Sequence, residues 1–201
     1  MIKNIIFDLG NVILKLNWDN VLNKYSHNDD DRKILKKVIF ESQEWLDLDE
    51  GIISKTEGIN RMISNLPVHL HEACLNIMDN WTDSLDHNIP MLDFVEEIRR
   101  KGFKTYILSN APLDIPVYLK EADLEKYFDG KIISAEELIV KPDHKIYELI
   151  LERYSLNASE SIFIDDRKEN IEAAIECGLN GIIYDYKDHD GFLNIIKNKV
   201  I

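Results

Sequence analysis

Asp8 closes the apolar run Asn4-Ile5-Ile6-Phe7 and is followed by Leu9-Gly10-Asn11-Val12. A short apolar run of this kind reads as a buried strand. An aspartate at its carboxyl end lies where open α/β sheets bind ligands, although Asp also simply caps turns. Three more stretches sit just after an expected strand or at a helix start: Ser109-Asn110, Lys141-Pro142 and Asp165-Asp166. Each has an ordinary structural use, as a turn, a solvated lysine or a helix cap. Their shared placement is what points to chemistry. Strand ends of one polarity lie along one edge of a parallel sheet, so the four stretches should converge. Asp8, Asp165 and Asp166 would then crowd together, which is unfavourable unless their pKa values rise or cations neutralise them. Lys141 supplies one positive charge, and a divalent ion would supply two. Carboxylates, waters and a phosphate suit Mg²⁺. The Ser109 hydroxyl and the Asn110 amide or backbone N–H are donors for an anionic oxygen. The parts describe a nucleophilic carboxylate, a metal and a ring of donors around a phosphoryl group.

The elements that must hold these residues follow from periodicity. Phe103–Leu108, 131–133, Ser161–Ile164 and Gly181–Tyr184 read as strands. Helices are expected from Pro90 to Gly102, from Asp143 to Tyr154, around Ile171-Ala174-Ile175 up to Gly178, and from Phe192 to Val200. A less regular helical part reaches Tyr127. From Trp18 to Leu85 the pattern is helical throughout, with no convincing strand. Ile34, Leu35, Val38 and Ile39 share one face, as do Ile59, Met62, Ile63 and Leu66, and Leu70, Ala73, Ile77 and Trp81. Asp29-Asp30-Asp31 suits a helix start, Ser54 with Glu57 resembles a capping box, and Pro67 separates two helices. Alternating strands and helices predict an α/β fold, a Rossmann-like parallel sheet with helices on both faces. An all-helical unit is inserted after its first strand. The expected division is 1–15 and 86–201 for the core, and 16–85 for the insertion.

Composition narrows the partners. The chain has 201 residues, 45% of them hydrophobic, and a formal net charge of −13. That acidity argues against nucleic-acid or anionic-membrane partners, but a locally positive site can still take a small phosphorylated substrate. Cys74 and Cys177 are read as reduced packing residues. No apolar stretch reaches the length of a membrane span, and the N-terminal apolar run is too short for a signal peptide. A cytoplasmic protein, monomer or homodimer, is expected.

On these residues the chain resembles the haloacid dehalogenase-like (HAD) hydrolase superfamily over essentially its full length. The motifs are Phe7-Asp8-Leu9-Gly10-Asn11-Val12, Leu108-Ser109-Asn110, Lys141-Pro142, and Phe163-Ile164-Asp165-Asp166 with Asn170-Ile171. The helical insertion resembles the family's type-1 cap. The motif variant is most similar to the subgroup containing the bacterial α-D-glucose-1-phosphate phosphatases. The resemblance implies a Mg²⁺-dependent phosphatase in which Asp8 is nucleophile and metal ligand. Asp166 would be a second ligand, Asp165 a ligand directly or through water, and the Gly10 carbonyl a further one. Ser109 and Asn110 would bind phosphoryl oxygens, and Lys141 would bridge nucleophile and phosphate. One departure matters: family phosphatases carry a second aspartate two residues after the nucleophile, and here that position is Gly10. Three explanations stay open. The leaving group needs no acid, as a sugar 1-phosphate partly does not. Another group acts, with His27, Asp19 or a cap residue as candidates. Or the chemistry is different, as in a 2-haloacid dehalogenase or a weakly catalytic binding protein. By residue type, His27, Trp45, Glu50, Arg61 and Trp81 are candidates for substrate selection.

Overall fold

The computed structural model describes residues 1–200, so residue 201, the last of the expected core, lies outside the described residues. Strand β1 (Asn4–Phe7) is buried along its whole length, as a run with no polar face must be. A short ribbon strand, β2 (Leu14–Leu16), follows it. Then come five helices: α1 (Trp18–Tyr25), α2 (Asp29–Ile39), α3 (Gln43–Glu50), α4 (Lys55–Ser64) and α5 (His71–Asn80). Strand β3 (Leu85–His87) returns antiparallel to β2, pairing Leu85 with Leu16 and His87 with Leu14. From there strands and helices alternate: α6 (Ile89–Arg100), β4 (Lys104–Ser109), α7 (Asp114–Glu121), β5 (Gly130–Ile133), α8 (Ser134–Glu137) and α9 (His144–Arg153). The chain closes with β6 (Ser161–Asp165), α10 (Lys168–Glu176), β7 (Asn180–Ile183) and α11 (His189–Val200).

The main sheet has the order β5-β4-β1-β6-β7, and every pair is parallel. The expected α/β class with a parallel sheet is what the chain adopts. Alternation along β1 divides its neighbours. Ile5 and Phe7 pack with residues of α6, α7 and α11, including Phe94, Leu119 and Ile196. Ile6 packs with α9 and α10 through Ile146, Tyr147 and Ala174. Helices therefore cover both faces. The register places Phe7 beside Ile107 and Ile164, so β1, β4 and β6 end within two residues of one another at the same edge. Among the described residues no helix is long and apolar enough to cross a membrane.

Three local expectations are corrected. The stretch between the first strand and α6 is not purely helical, because β2 and β3 form a two-stranded ribbon at its ends. Leu-Lys-Leu and Leu-Asp-His are too short to show a two-residue alternation, so only the pairing reveals them. Both expected domain boundaries, 15/16 and 85/86, fall inside this ribbon. The four-residue α8 was not expected. Ile34 is 37% exposed, and Leu35 and Ile39 alone carry the fully buried face of α2. The helix-start expectations on α2 and α4 take a defined form. Asn28 accepts from the N–H groups of Asp30 and Asp31, and Ser54 from that of Glu57, each satisfying groups that a helix start leaves unpaired.

Candidate active site

The last rung of β1 is the bond from the Asp8 N–H to Ile164 O, 2.9 Å long. Beyond it the chain turns back sharply. The N–H groups of Val12, Ile13 and Leu14 all point at Leu9 O, and Asn11 takes φ +54°. This turn sets Asp8 at the sheet edge with Gly10 and Asn11 beside it. Asp8 Oδ1 accepts from the Leu9 N–H at 2.7 Å and from Lys141 Nζ at 2.9 Å.

Lys141 is 4% exposed and uses all three ammonium hydrogens. They go to Asp8 Oδ1 at 2.9 Å, Asp165 Oδ2 at 2.7 Å and Leu108 O at 3.0 Å. Its backbone is held by Asn110, whose Nδ2 donates to Lys141 O at 2.9 Å and whose Oδ1 accepts from the Lys141 N–H at 2.7 Å. The Asn110 amide is therefore engaged in positioning Lys141. Ser109, at the end of β4, keeps its hydroxyl beside Asp8. Asp165 is fully buried and saturated with donors: Lys141 Nζ, Asn170 Nδ2 on both oxygens and the Arg167 N–H at 2.8 Å. Asp166 Oδ2 accepts from Asn11 Nδ2 at 2.9 Å. Asp8, Asp165 and Asp166 each offer an oxygen lying within 4.8 Å of the other two. Asn170 Oδ1 is buried with no hydrogen-bond partner among the described residues. Asn11 orients Asp166 and Asn170 orients Asp165; both residues belong to the quoted motifs, but nothing in the sequence assigned either of them this role.

Burial, and then the neighbouring Asp165, push the Asp8 carboxyl up to about 6, against the pull of Lys141 and the Ser109 hydroxyl. Burial also raises Asp166. For Lys141 burial alone would lower the pKa, but Asp8 and Asp165 together raise it. A further carboxyl faces this group from the helical insertion. Burial, reinforced by the charge of Asp8, raises Asp49 to about 8. Asp49 was not among the expected site residues. It sits in Gln-Glu-Trp-Leu-Asp-Leu-Asp-Glu on α3, where four acids carry no pattern that singles one out.

Two cavities meet here. The outer one, about 460 Å³, has a polar wall that includes Asp8, Gln43, Asp49, Glu50, Asn110 and Arg167. The inner one, about 90 Å³, is an apolar cleft under Trp18, Trp45 and Trp81. Gly10, Leu16, Asp49 and Asn110 line both. Trp45 and Trp81 are also packed edge to face in the helical unit, 5.2 Å apart. His27 and Asp19 are exposed and line neither cavity, and Arg61 pairs instead with Glu57 and Asp47.

The family model for haloacid dehalogenase-like hydrolases matches residues 2–178. The chain is 28% identical to the sesquiterpene phosphatase astK of Aspergillus oryzae, over 90% of this chain and 88% of that one. It is 25% identical to the phosphorylated carbohydrates phosphatase of Thermotoga maritima, over 71% and 66% of the two chains. Other curated relatives are much longer: the match spans 9% of mouse acyl-CoA dehydrogenase family member 10 and 18% of rat bifunctional epoxide hydrolase 2. In fold, the chain is similar to the HAD family enzyme bt-2542 of Bacteroides thetaiotaomicron, solved as a magnesium complex. The TM-score is 0.74 at 21% identity, covering 96% of this chain and 98% of that one.

Proposed function

The chain belongs to the haloacid dehalogenase-like hydrolase family, and from that premise we propose that it is a Mg²⁺-dependent phosphatase using Asp8 as nucleophile. The observation that carries this reading is the charge balance: three carboxylates with oxygens within 4.8 Å, against one lysine. Such a cluster calls for a cation, and its hard oxygen donors fit Mg²⁺. The unpartnered Asn170 Oδ1 nearby adds a further acceptor oxygen to the same wall. Asp8, Asp166 and the Gly10 carbonyl would hold the ion. Asp165, with both oxygens already accepting from protein donors, would act through water and keep Lys141 in place. Bound there, the ion supplies positive charge to phosphoryl oxygens and relieves the carboxylate repulsion.

Asp8 would attack phosphorus and carry the phosphoryl group as an aspartyl-phosphate. Lys141 keeps Asp8 oriented and ionised, and shares one of its N–H groups with an incoming phosphoryl oxygen. The Ser109 hydroxyl and the nearby backbone donate to the same group. The substrate is a small phosphorylated metabolite, a sugar phosphate. Support comes from the outer cavity, whose Gln43, Glu50 and Arg167 can bond hydroxyls, whereas the apolar cleft of about 90 Å³ is small for a terpenyl chain. The net charge of −13 suits a small substrate better than a nucleic acid.

Phosphate release from a panel of sugar phosphates and nucleotides tests this, with Mg²⁺ or EDTA, beside Asp8→Asn. Turnover that needs both the metal and Asp8, with sugar phosphates leading, is expected. Full activity in EDTA, or in the Asp8→Asn protein, would overturn the reading.

A further inference from the structure

Gly10 leaves the site without a carboxyl on the nucleophile's own loop. A Cβ at that position would meet only Leu16 Cδ1 at 3.6 Å and Asp8 Oδ2 at 4.0 Å. The space above Asp8 is therefore open at Gly10, and something across the cavity faces it. That wall is α3. Among the described residues, Asp49 and Glu50 are the acids of the helical unit that line the outer cavity, and Asp49 alone also lines the inner cleft with Gly10. Asp49 is held there by its backbone. Its carbonyl accepts from the Ser134 hydroxyl, and the same hydroxyl accepts from the Ala111 N–H at 2.9 Å, just after Ser109-Asn110. Two residues on, Gly51 ends α3 at φ +79°, pressed so closely on Ala135 that a Cβ would overlap its carbonyl. The Asp49 carboxyl has no hydrogen-bond partner among the described residues, so it is available to a ligand.

From this placement we infer that Asp49, reaching over from the inserted helical unit, is the general acid and base that Gly10 cannot be. The inference rests on the phosphatase reading above. In the first step Asp8 bonds to phosphorus, the P–O bond to the leaving group breaks, and the leaving oxygen takes the Asp49 proton to become an alcohol. In the second, water attacks phosphorus, Asp49 takes back a proton from it, and the bond from Asp8 to phosphorus breaks. Ester and water become alcohol and inorganic phosphate, with Asp8 and Asp49 restored.

An acid matters in proportion to how poor the leaving group is. The test compares kcat/KM of wild type and Asp49→Asn on a sugar or alkyl phosphate and on nitrophenyl phosphate, whose leaving oxygen needs no proton. Because kcat/KM covers only the steps up to alcohol release, it isolates the acid role. We expect a loss of about 10²–10⁴-fold on the alkyl ester and less than about tenfold on the aryl ester. The aryl ester should also give a burst of nitrophenol, as the aspartyl-phosphate waits for a base. Adding Gly10→Asp to Asp49→Asn, into space that is open, should recover alkyl-ester activity. Equal losses on both esters, or no loss, would overturn the role of Asp49 while leaving the phosphatase reading intact. Absence of Asp8-dependent turnover in wild type would instead remove both.

Discussion

Lys141 lies 2.9 Å from Asp8 and 2.7 Å from Asp165, with its side chain 1% exposed. A buried ammonium shared by two carboxylates is stabilising only as a set, and removing one member leaves uncompensated charge. Lys141→Met should destabilise the metal-free protein by about 3–5 kcal/mol at neutral pH, read from urea unfolding. Part of that loss should return in mild acid, where protonating Asp8 relieves the repulsion. A variant as stable as wild type at neutral pH would show that the carboxylates are not both charged. Lys141→Arg should also fail, because the planar guanidinium cannot repeat three contacts made from one nitrogen. Around this lysine, Asn110 and Asn170 have polar side chains engaged in orienting charged neighbours.

The edge that carries the candidate site depends on α3 resting on α8. Asp49 O to Ser134, Gly51 against Ala135, and Trp81 Nε1 to Asp114 Oδ2 at 2.9 Å tie the helical unit to the sheet domain. Gly51 is the most sensitive point, since any side chain there meets both a left-handed backbone and a carbonyl. Gly51→Ala should lower stability by about 1–3 kcal/mol and cut kcat/KM as α3 lifts Asp49 away. Gly102→Ala is the control. That residue also has positive φ, +92°, but nothing within 4 Å of its Cβ, so it should cost stability without touching catalysis. Thermal unfolding and turnover of the two variants, measured together, separate backbone strain from helix docking.

For the whole molecule, the carboxyls at the centre set how stability changes with pH. Asp8 and Asp49 are raised from their ordinary 3.8 to about 6 and about 8. A carboxyl with a raised folded-state pKa contributes stability that is complete below its unfolded value and is lost as pH rises through the folded value. The metal-free protein should therefore lose stability between about pH 4 and about pH 8. A divalent cation bound to the folded state offsets that loss, so the gain in Tm on adding MgCl₂ should grow with pH. Differential scanning calorimetry between about pH 5 and about pH 9 reads both effects. A Mg²⁺ gain that stayed constant across the range would contradict the assignment of Asp8 to the binding site. The net charge of −13 works in the same direction, because folding concentrates negative charge that a cation screens.

Much of this was readable from the chain alone. Buried parallel strands are short apolar runs with no polar face, and a polar residue that ends one must lie at the sheet edge. That logic located Asp8, Ser109 and Asp165 and implied that they converge with Lys141, and β1, β4 and β6 do end within two residues of one another at one edge. Helical periodicity likewise exposed α4 through Met62 and α5 through Ile77, with Leu66 and Trp81 buried just beyond their ends. Tertiary structure alone decided how donors are shared. The Asn110 amide holds a backbone 31 residues away, and Asp165 has its lone pairs filled by Lys141, Arg167 and Asn170. It alone brought Asp49 over Asp8, because that approach depends on a hydroxyl 85 residues distant and on a glycine small enough to touch a backbone. Local patterns record which face of an element is buried. They carry no record of which element is docked above it, since that contact arises only when the chain has folded.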